Sequence, residues 1–134
     1  MSELVIAKDL LQQIATQAVE AFPQECCGLL AGKTELCVTG ITQLTNVSRD
    51  RDRFEILPDE FHTCGARLLS AGFFILGIYH SHPNGSKSLS SIDLQGMSFA
   101  GVVLIAACTT IGVRFAAYDV DRHRVSDLSV QLLN

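Results

Sequence analysis

Residues 73–93 read FFILGIYHSHPNGSKSLSSID, and the fold hangs on how this stretch is parsed. Its opening, FFILGIY, is a near-continuous apolar run of strand length bounded by Gly72 and the HSHP segment. Such a run, without polar alternation, reads as a central strand covered on both faces. Residues i and i+2 of a strand point to the same side, so His80 and His82 offer two imidazoles to one ion if the strand persists through them. Pro83 stops an ordinary central ladder and puts the pair at a strand end. Asn84 to Ser88 is turn chemistry, a short helix is expected over 90–100, and Asp93 near its start returns a carboxylate to the histidines. Two imidazole nitrogens and one carboxylate oxygen leave a fourth position open, which is how catalytic rather than structural zinc is held.

Upstream, a short strand is expected over 4–6 and a helix over 8–22, where Leu10, Leu11, Ile14, Ala15, Ala18, Val19 and Phe22 recur at helical spacing and make one apolar face. Pro23 ends that helix. Residues 26–32 are short, apolar and bounded by proline and glycine, so they read as a buried strand with Glu25 on its threshold. Alternating and β-branched residues over 35–45 suggest a second strand, with Gly32-Lys33-Thr34 as the hairpin turn. A charged loop follows over 46–53 and a brief strand over 54–57. Pro58-Asp59-Glu60 opens a helix, because proline needs no amide donor there and acids favour the positive end of the dipole. This helix is expected to run to residue 70 and stop at Gly72. Downstream, strands over 101–108 and 112–119 flank Thr109-Thr110-Ile111, and a last strand covers 124–132. With no repeat, low-complexity tract or linker, the pattern is α/β: residues 1–134 form a single-domain α/β/α sandwich with a mixed central sheet.

At 134 residues the chain buries about 65 to 70% of its unfolded surface as one domain, so no metal is needed simply to fold it. A hydrophobic share of 48% against 18% charged describes a globular protein. The longest apolar run, 102–108, is far too short to span a bilayer, so a soluble protein with no membrane partner is expected. The opening MSELVIAKDL carries neither a basic region nor a signal-length apolar run, so no secretory processing is expected. Five cysteines, an odd number without framework spacing, point to reduced thiols and a cytoplasmic location. A net charge of −4 with scattered basic residues argues against a nucleic-acid partner. The mixed-sign run from Arg49 to Arg53 reads as a solvated loop.

Zinc held by three protein ligands lowers the pKa of its bound water to roughly 7 and so makes a nucleophile available at neutral pH. Amide hydrolysis then needs a base that passes the water's proton to the leaving amine, and a donor for the developing oxyanion. Glu25, beside a buried strand where a carboxylate needs a partner, and Ser90, three residues before Asp93, are the candidates. Plainer readings stand beside these. A lone H-x-H occurs by chance, Glu25 alone would be a surface acid at a strand entrance, and Ser90-x-x-Asp93 is also a capping box. Cys26 and Cys27 face opposite ways on a strand and cannot share a zinc ion, so they read as small buried hydrophobes, as do Cys37, Cys64 and Cys108. A cysteine nucleophile with His82 as base is a formal alternative. His62 and His123 read as surface residues.

The combination of Glu25 in PQECCGLLAG with His80-Ser81-His82-Pro83, seven residues from Pro83 to Leu89, and Ser90-x-x-Asp93 resembles the JAMM (MPN-plus) zinc metallopeptidases, whose signature is a distant glutamate plus H-x-H-x(7)-S-x-x-D. The opening helix, the ECCGLL strand and the Asn46-to-Phe54-to-Pro58 passage resemble the compact prokaryotic members. The resemblance implies a cytidine-deaminase-like MPN sandwich and one zinc ion with a bound water on His80, His82 and Asp93. It implies Glu25 as general acid/base and Ser90 as oxyanion donor. It further implies a peptidase or isopeptidase cutting at the C-terminal tail of a ubiquitin-like or sulfur-carrier protein ending in Gly-Gly, with that tail bound extended beside a sheet edge. Leu89 departs from the family, where many relatives have proline, and leaves the loop's rigidity open. A non-catalytic MPN scaffold would lack the ligands. A RadC-like DNA role wants a basic face, and a deaminase wants H-x-E and P-C-x-x-C, which are absent. A phage-tail-type cell-wall peptidase and a homodimer both stay open.

Overall fold

The computed structural model describes residues 2–90, 93, 100–122 and 124–133. Most of the helix expected over 90–100, and His123 with its surface reading, lie outside the described residues. Among these, the order is β1 (Glu3–Ala7), α1 (Lys8–Ala21), β2 (Cys27–Gly32), β3 (Cys37–Val38), β4 (Gly40–Leu44), α2 (Pro58–Ser70), β5 (Phe74–His82), β6 (Gly101–Thr109), β7 (Gly112–Asp121) and β8 (Arg124–Leu133). The strands make one 8-stranded sheet ordered β3-β1-β8-β7-β6-β5-β2-β4. Pairs β1–β3, β1–β8 and β5–β6 are parallel and the others antiparallel, so the sheet is mixed, as expected.

Apolar residues alternate between two cores, one on each face of the sheet. Leu30, Tyr79, Val102, Leu104 and Ala106 join Leu4, Ile6, Ile14 and Ala18 on the α1 face. Leu29, Ile78, Val103 and Ile105 join Phe61, Cys64 and Leu68 on the α2 face. That two-sided cover is why β5 and β6 read as unbroken apolar runs rather than alternating ones. Cys26 lies in the first core and Cys27 in the second, the opposite facing expected of them.

Helix α2 ends as its sequence dictates. Gly72 takes φ +90, its N–H reaches the Leu69 carbonyl at 3.0 Å, and the Phe73 N–H reaches the Leu68 carbonyl at 2.9 Å. This pair of bonds is a Schellman closure, and it feeds the chain directly into β5. Helix α1 differs from expectation. Its apolar face is not wholly buried: Ile14 and Ala18 are sealed, but Val19 is 64% exposed and Phe22 57% exposed. The last turn overhangs the sheet, so helical periodicity continues past the core that it serves.

The segment expected as one strand over 35–45 is two. Val5 and Ile6 pair with Cys37 and Val38, whereas Gly40–Leu44 pairs with β2, so one short passage lies on both edges of the sheet. Only Thr39 separates them, and its N–H bonds to the Ala31 carbonyl at 3.0 Å. The sheet therefore curls until its edges nearly meet. The turn is also displaced from Gly32-Lys33-Thr34: Thr34 bridges Cys37, and Leu36 takes φ 59. Residues 54–57 form no strand. Phe54 and Ile56 instead pack as side chains into the α2-face core, and the Glu55 carbonyl accepts one bond from Val47 N–H.

Candidate active site

Strand β5 persists through both histidines, as the metal-site reading requires. His80 and Ile78 share a face, and the His80 ring lies 4.9 Å from Phe54 and 4.9 Å from His82. Ser81, pointing the other way, ties the strand to the entrance of β2. Its Oγ accepts the Cys26 N–H at 2.8 Å and its own N–H reaches the Cys26 carbonyl at 3.0 Å. Glu25 is thereby delivered to the histidine pair by the residue that follows it.

Glu25, His80, His82 and Asp93 each offer a ligand atom within 4.8 Å of the others. All four are buried. Glu25 Oε1 lies 3.3 Å from His80 Nδ1, Asp93 Oδ1 lies 3.7 Å from His80 Nε2, and Asp93 Oδ2 lies 3.1 Å from His82 Nε2. Ligands about 2.0 Å from a tetrahedral ion stand roughly 3.3 Å apart, so the separations of Asp93 from His80 Nε2 and His82 Nε2 suit one small divalent cation, while Glu25 approaches the other ring nitrogen of His80. Both ring nitrogens of His80 and Oε1 of Glu25 have no hydrogen-bond partner. The 3.3 Å approach between Nδ1 and Oε1 is close enough, but its angle is not that of a hydrogen bond. Each such buried orphan costs about 1–3 kcal/mol, and a cation on one ring nitrogen of His80 satisfies that atom together with the neighbouring carboxylates. The donor set therefore fits a divalent metal.

The surroundings fix the ligands. His82 Nδ1 lies 2.9 Å from the Ser86 carbonyl, which requires a proton on Nδ1 and turns Nε2 toward Asp93 and the cluster. Burial pushes the His82 imidazolium down, but the Asp93 carboxylate and the Ser86 carbonyl outweigh it and leave the group above its ordinary value. Burial likewise raises Asp93, and the His82 bond, His80 and the Ser90 amide overcome it and hold the carboxyl low. Ser90 and Asp93 make the reciprocal capping pair: Ser90 N–H donates to Oδ2 at 2.9 Å, and Asp93 N–H donates to Ser90 Oγ at 2.9 Å. The Oγ lone pair is used there, while no described residue accepts the hydroxyl proton. Capping thus uses the lone pair of the hydroxyl and not its proton.

Residues that the sequence did not single out complete the support. Asn46 Nδ2 donates to the Glu25 carbonyl at 2.9 Å, and its Oδ1 accepts Ser48 N–H at 2.9 Å and Glu55 N–H at 3.0 Å. Glu60, in the first turn of α2, grips the preceding Thr45 through N–H at 2.7 Å and Oγ1 at 2.9 Å. Tyr118 of β7 donates to the Lys87 carbonyl at 2.6 Å, and Leu89 packs into the α2-face core. The loop between the histidines and Ser90 is therefore anchored without a proline at 89. His62 is exposed, as expected. The cysteines are free thiols and none stands among the four clustered ligands, so a cysteine nucleophile has no support. A cleft of about 450 Å³ opens above the cluster, with Glu25, His82 and Ser90 in its floor and Arg51 and Asp52 on its rim.

A curled mixed sheet between two helices, with a buried Glu-His-His-Asp set at the end of its central strand, defines a JAMM (MPN-type) domain. The chain belongs to that family: residues 7–124 match the prokaryotic homologs of the JAB domain. It is 32% identical over 135 residues to a desampylase of Haloferax volcanii, covering 96% of each chain. The solution structure of protein DSY2949 from Desulfitobacterium hafniense superposes with a TM-score of 0.86 at 22% identity, over 96% of this chain and 92% of that one. A structure described as "JAMM: A Metalloprotease-like Zinc Site in the Proteasome and Signalosome" has a TM-score of 0.62 at 18% identity, over 99% of this chain and 100% of that one.

Proposed function

We propose that this chain is a zinc-dependent peptidase or isopeptidase that hydrolyses an amide at the Gly-Gly tail of a small ubiquitin-like or sulfur-carrier protein. The observation that carries it is the buried, partnerless donor set of His80 and Glu25 beside His82 and Asp93. His80, His82 and Asp93 would hold the ion, which when bound supplies Lewis acidity and an acidic water. Glu25 would accept a proton from the attacking water on its carboxylate and return it to the leaving nitrogen as the C–N bond breaks, so the proton count closes. The Ser90 hydroxyl donates to the developing oxyanion. The low pKa of Asp93 keeps a ligand carboxylate charged at neutral pH.

The substrate class rests on the likeness to the desampylase, and the sheet geometry supports the way in which a tail would bind. Strand β4 is the sheet edge, and Leu44 at its end is in register with Cys27, itself in register with His80. An extended tail added along β4 arrives at the site, and glycines pass where side chains would not. We further propose that residues 1–134 are one domain and that the protein works in the cytoplasm, in keeping with five free thiols. Among the described residues no helix is long and apolar enough to cross a membrane.

The test is elemental analysis of the purified protein with mass spectrometry of carrier fusions extended beyond Gly-Gly. One zinc per chain and release of the extension are expected, Asp93→Ala should lose the metal, and Glu25→Gln should keep metal and fold while losing at least about 10²-fold in turnover. Equal zinc in Asp93→Ala, or unchanged turnover in Glu25→Gln, would remove the assignment.

A further inference from the structure

The overhanging last turn of α1 walls a second cleft, of about 690 Å³, between Val19 and Phe22 on one side and Cys108, Thr109 and Thr110 on the other. It meets the active-site cleft at Phe22, Pro83 and Asn84, which line both. The two differ in chemistry. Glu25, Arg51, Asp52 and His82 line the first, and among the described residues no charged one lines the second. Val19 and Phe22 continue the helical apolar spacing of Ile14 and Ala18 beyond the point where the core ends. A surface helix normally turns polar there. Glu25 also lines a third cleft with Gln24, Gln43, Leu44, Thr45 and Asn46, which runs against the edge strand β4.

We propose that the apolar cleft is the subsite for the residue on the amine side of the scissile bond, and that it selects a large apolar side chain there. This rests on the hydrolase function proposed above. A Gly-Gly tail has no side chain to place in a wide apolar cleft and can use only backbone pairing, which the β4 side offers. The residue beyond the scissile bond is what remains to fill the cleft that opens past Pro83. Burying a leucine or phenylalanine side chain there, against Val19, Phe22 and the threonine methyls, improves binding by about tenfold or more over serine.

The experiment uses zinc-loaded Glu25→Gln protein, which binds without cutting, and fluorescein-labelled octapeptides ending in Gly-Gly-Xaa-amide with Xaa as Leu, Phe, Ser or Asp. Anisotropy titrations should give Kd values about tenfold lower for Leu and Phe than for Ser and Asp. Val19→Ser with Phe22→Ser in the same background should flatten the series, and Thr110→Asp on the facing wall should do so separately, with zinc content and Tm unchanged. A flat series in the Glu25→Gln protein overturns the subsite, as does a preference that survives both sets of substitutions. Cleavage of every peptide by unsubstituted protein at equal kcat/KM overturns it while leaving the hydrolase function standing. Apolar preference in binding, with no peptide or carrier fusion ever cut, rejects the hydrolase and with it the subsite for cleavage, leaving an apolar binding cleft alone.

Discussion

Ser90 caps Asp93 and, in the function proposed above, also serves the oxyanion, which one oxygen allows because a hydroxyl both accepts and donates. Its lone pair caps Asp93 N–H, and its proton is left for an incoming carbonyl. Ser90→Ala is therefore expected to lower kcat by about 10² to 10³ and also to lower Tm modestly through the lost cap. A lowered Tm with kcat unchanged would leave only the cap. Asn46 is a different kind of residue, acting through the backbone of Glu25. Asn46→Asp retains the acceptor for Ser48 and Glu55 but loses the donor to the Glu25 carbonyl. A drop in kcat of about tenfold at nearly constant KM is expected, whereas Asn46→Ala should damage the loop and raise KM as well. Equal kinetics for the two variants would deny that tie its role. His80, His82, Asp93 and Ser90 could be singled out in the sequence because strand period and motif spacing are local, whereas Glu25, far upstream, is tied to them by the family resemblance. The supporting roles of Asn46, Phe54 and Tyr118 could not be singled out, since each acts across contacts that exist only once distant segments meet.

At the scale of elements, the close approach of β5 and β6 decides what their glycines tolerate. A methyl group on Gly77 would collide with the backbone of Val102, and neither strand can give way inside a parallel pair. Gly77→Ala should cost about 3 kcal/mol, read as a fall in the urea midpoint. Gly65, in α2, has nothing within 4 Å of such a methyl, so Gly65→Ala should stabilise by about 0.5–1 kcal/mol through helix propensity. A Gly77→Ala midpoint at or above that of Gly65→Ala would deny the collision with Val102. Apolar runs covered on two faces announced β5 and β6 plainly. The division of 35–45 between two sheet edges was hidden, because strand propensity says that a segment is extended but not which neighbour it joins. The exposure of Val19 and Phe22 was hidden for a related reason: periodicity reports a face, and only the length of the opposing sheet tells where cover ends.

Across the whole molecule, the two adjacent cysteines put one thiol into each core and couple stability to alkaline pH. Burial pushes Cys26 from the ordinary 9.0 to about 11 and Cys27 from 9.0 to about 12, and it moves the Tyr79 phenol up as well. Above pH 9 the unfolded chain gives up these protons while the folded chain keeps them, so the folded state binds more protons and stability falls with rising pH. The contribution is complete below pH 9 and is lost progressively as pH climbs through the folded values. Tm measured from pH 8 to 11 should decline, with a shallower decline in Cys27→Ala. Ellman's reagent at pH 8 should leave both thiols unmodified until denaturant is added, and rapid native-state modification would contradict their burial.

The curled sheet has a further consequence in time rather than space. Strand β1 is flanked by the two residues of β3 and by β8, the last strand of the order, through pairs such as Glu3 with Ser129 and Ala7 with Leu133. A nascent chain emerging from the ribosome has formed β1 long before its main partner exists, and pairings of such long sequence separation are slow to close. Until β8 arrives, Leu4 and Ile6 have little to seal them, and the partial chain offers an open strand edge to chaperones and to other chains. Co-translational folding of this domain therefore has a late last step, and a stop codon placed before residue 124 leaves β1 and β7 together without their common neighbour.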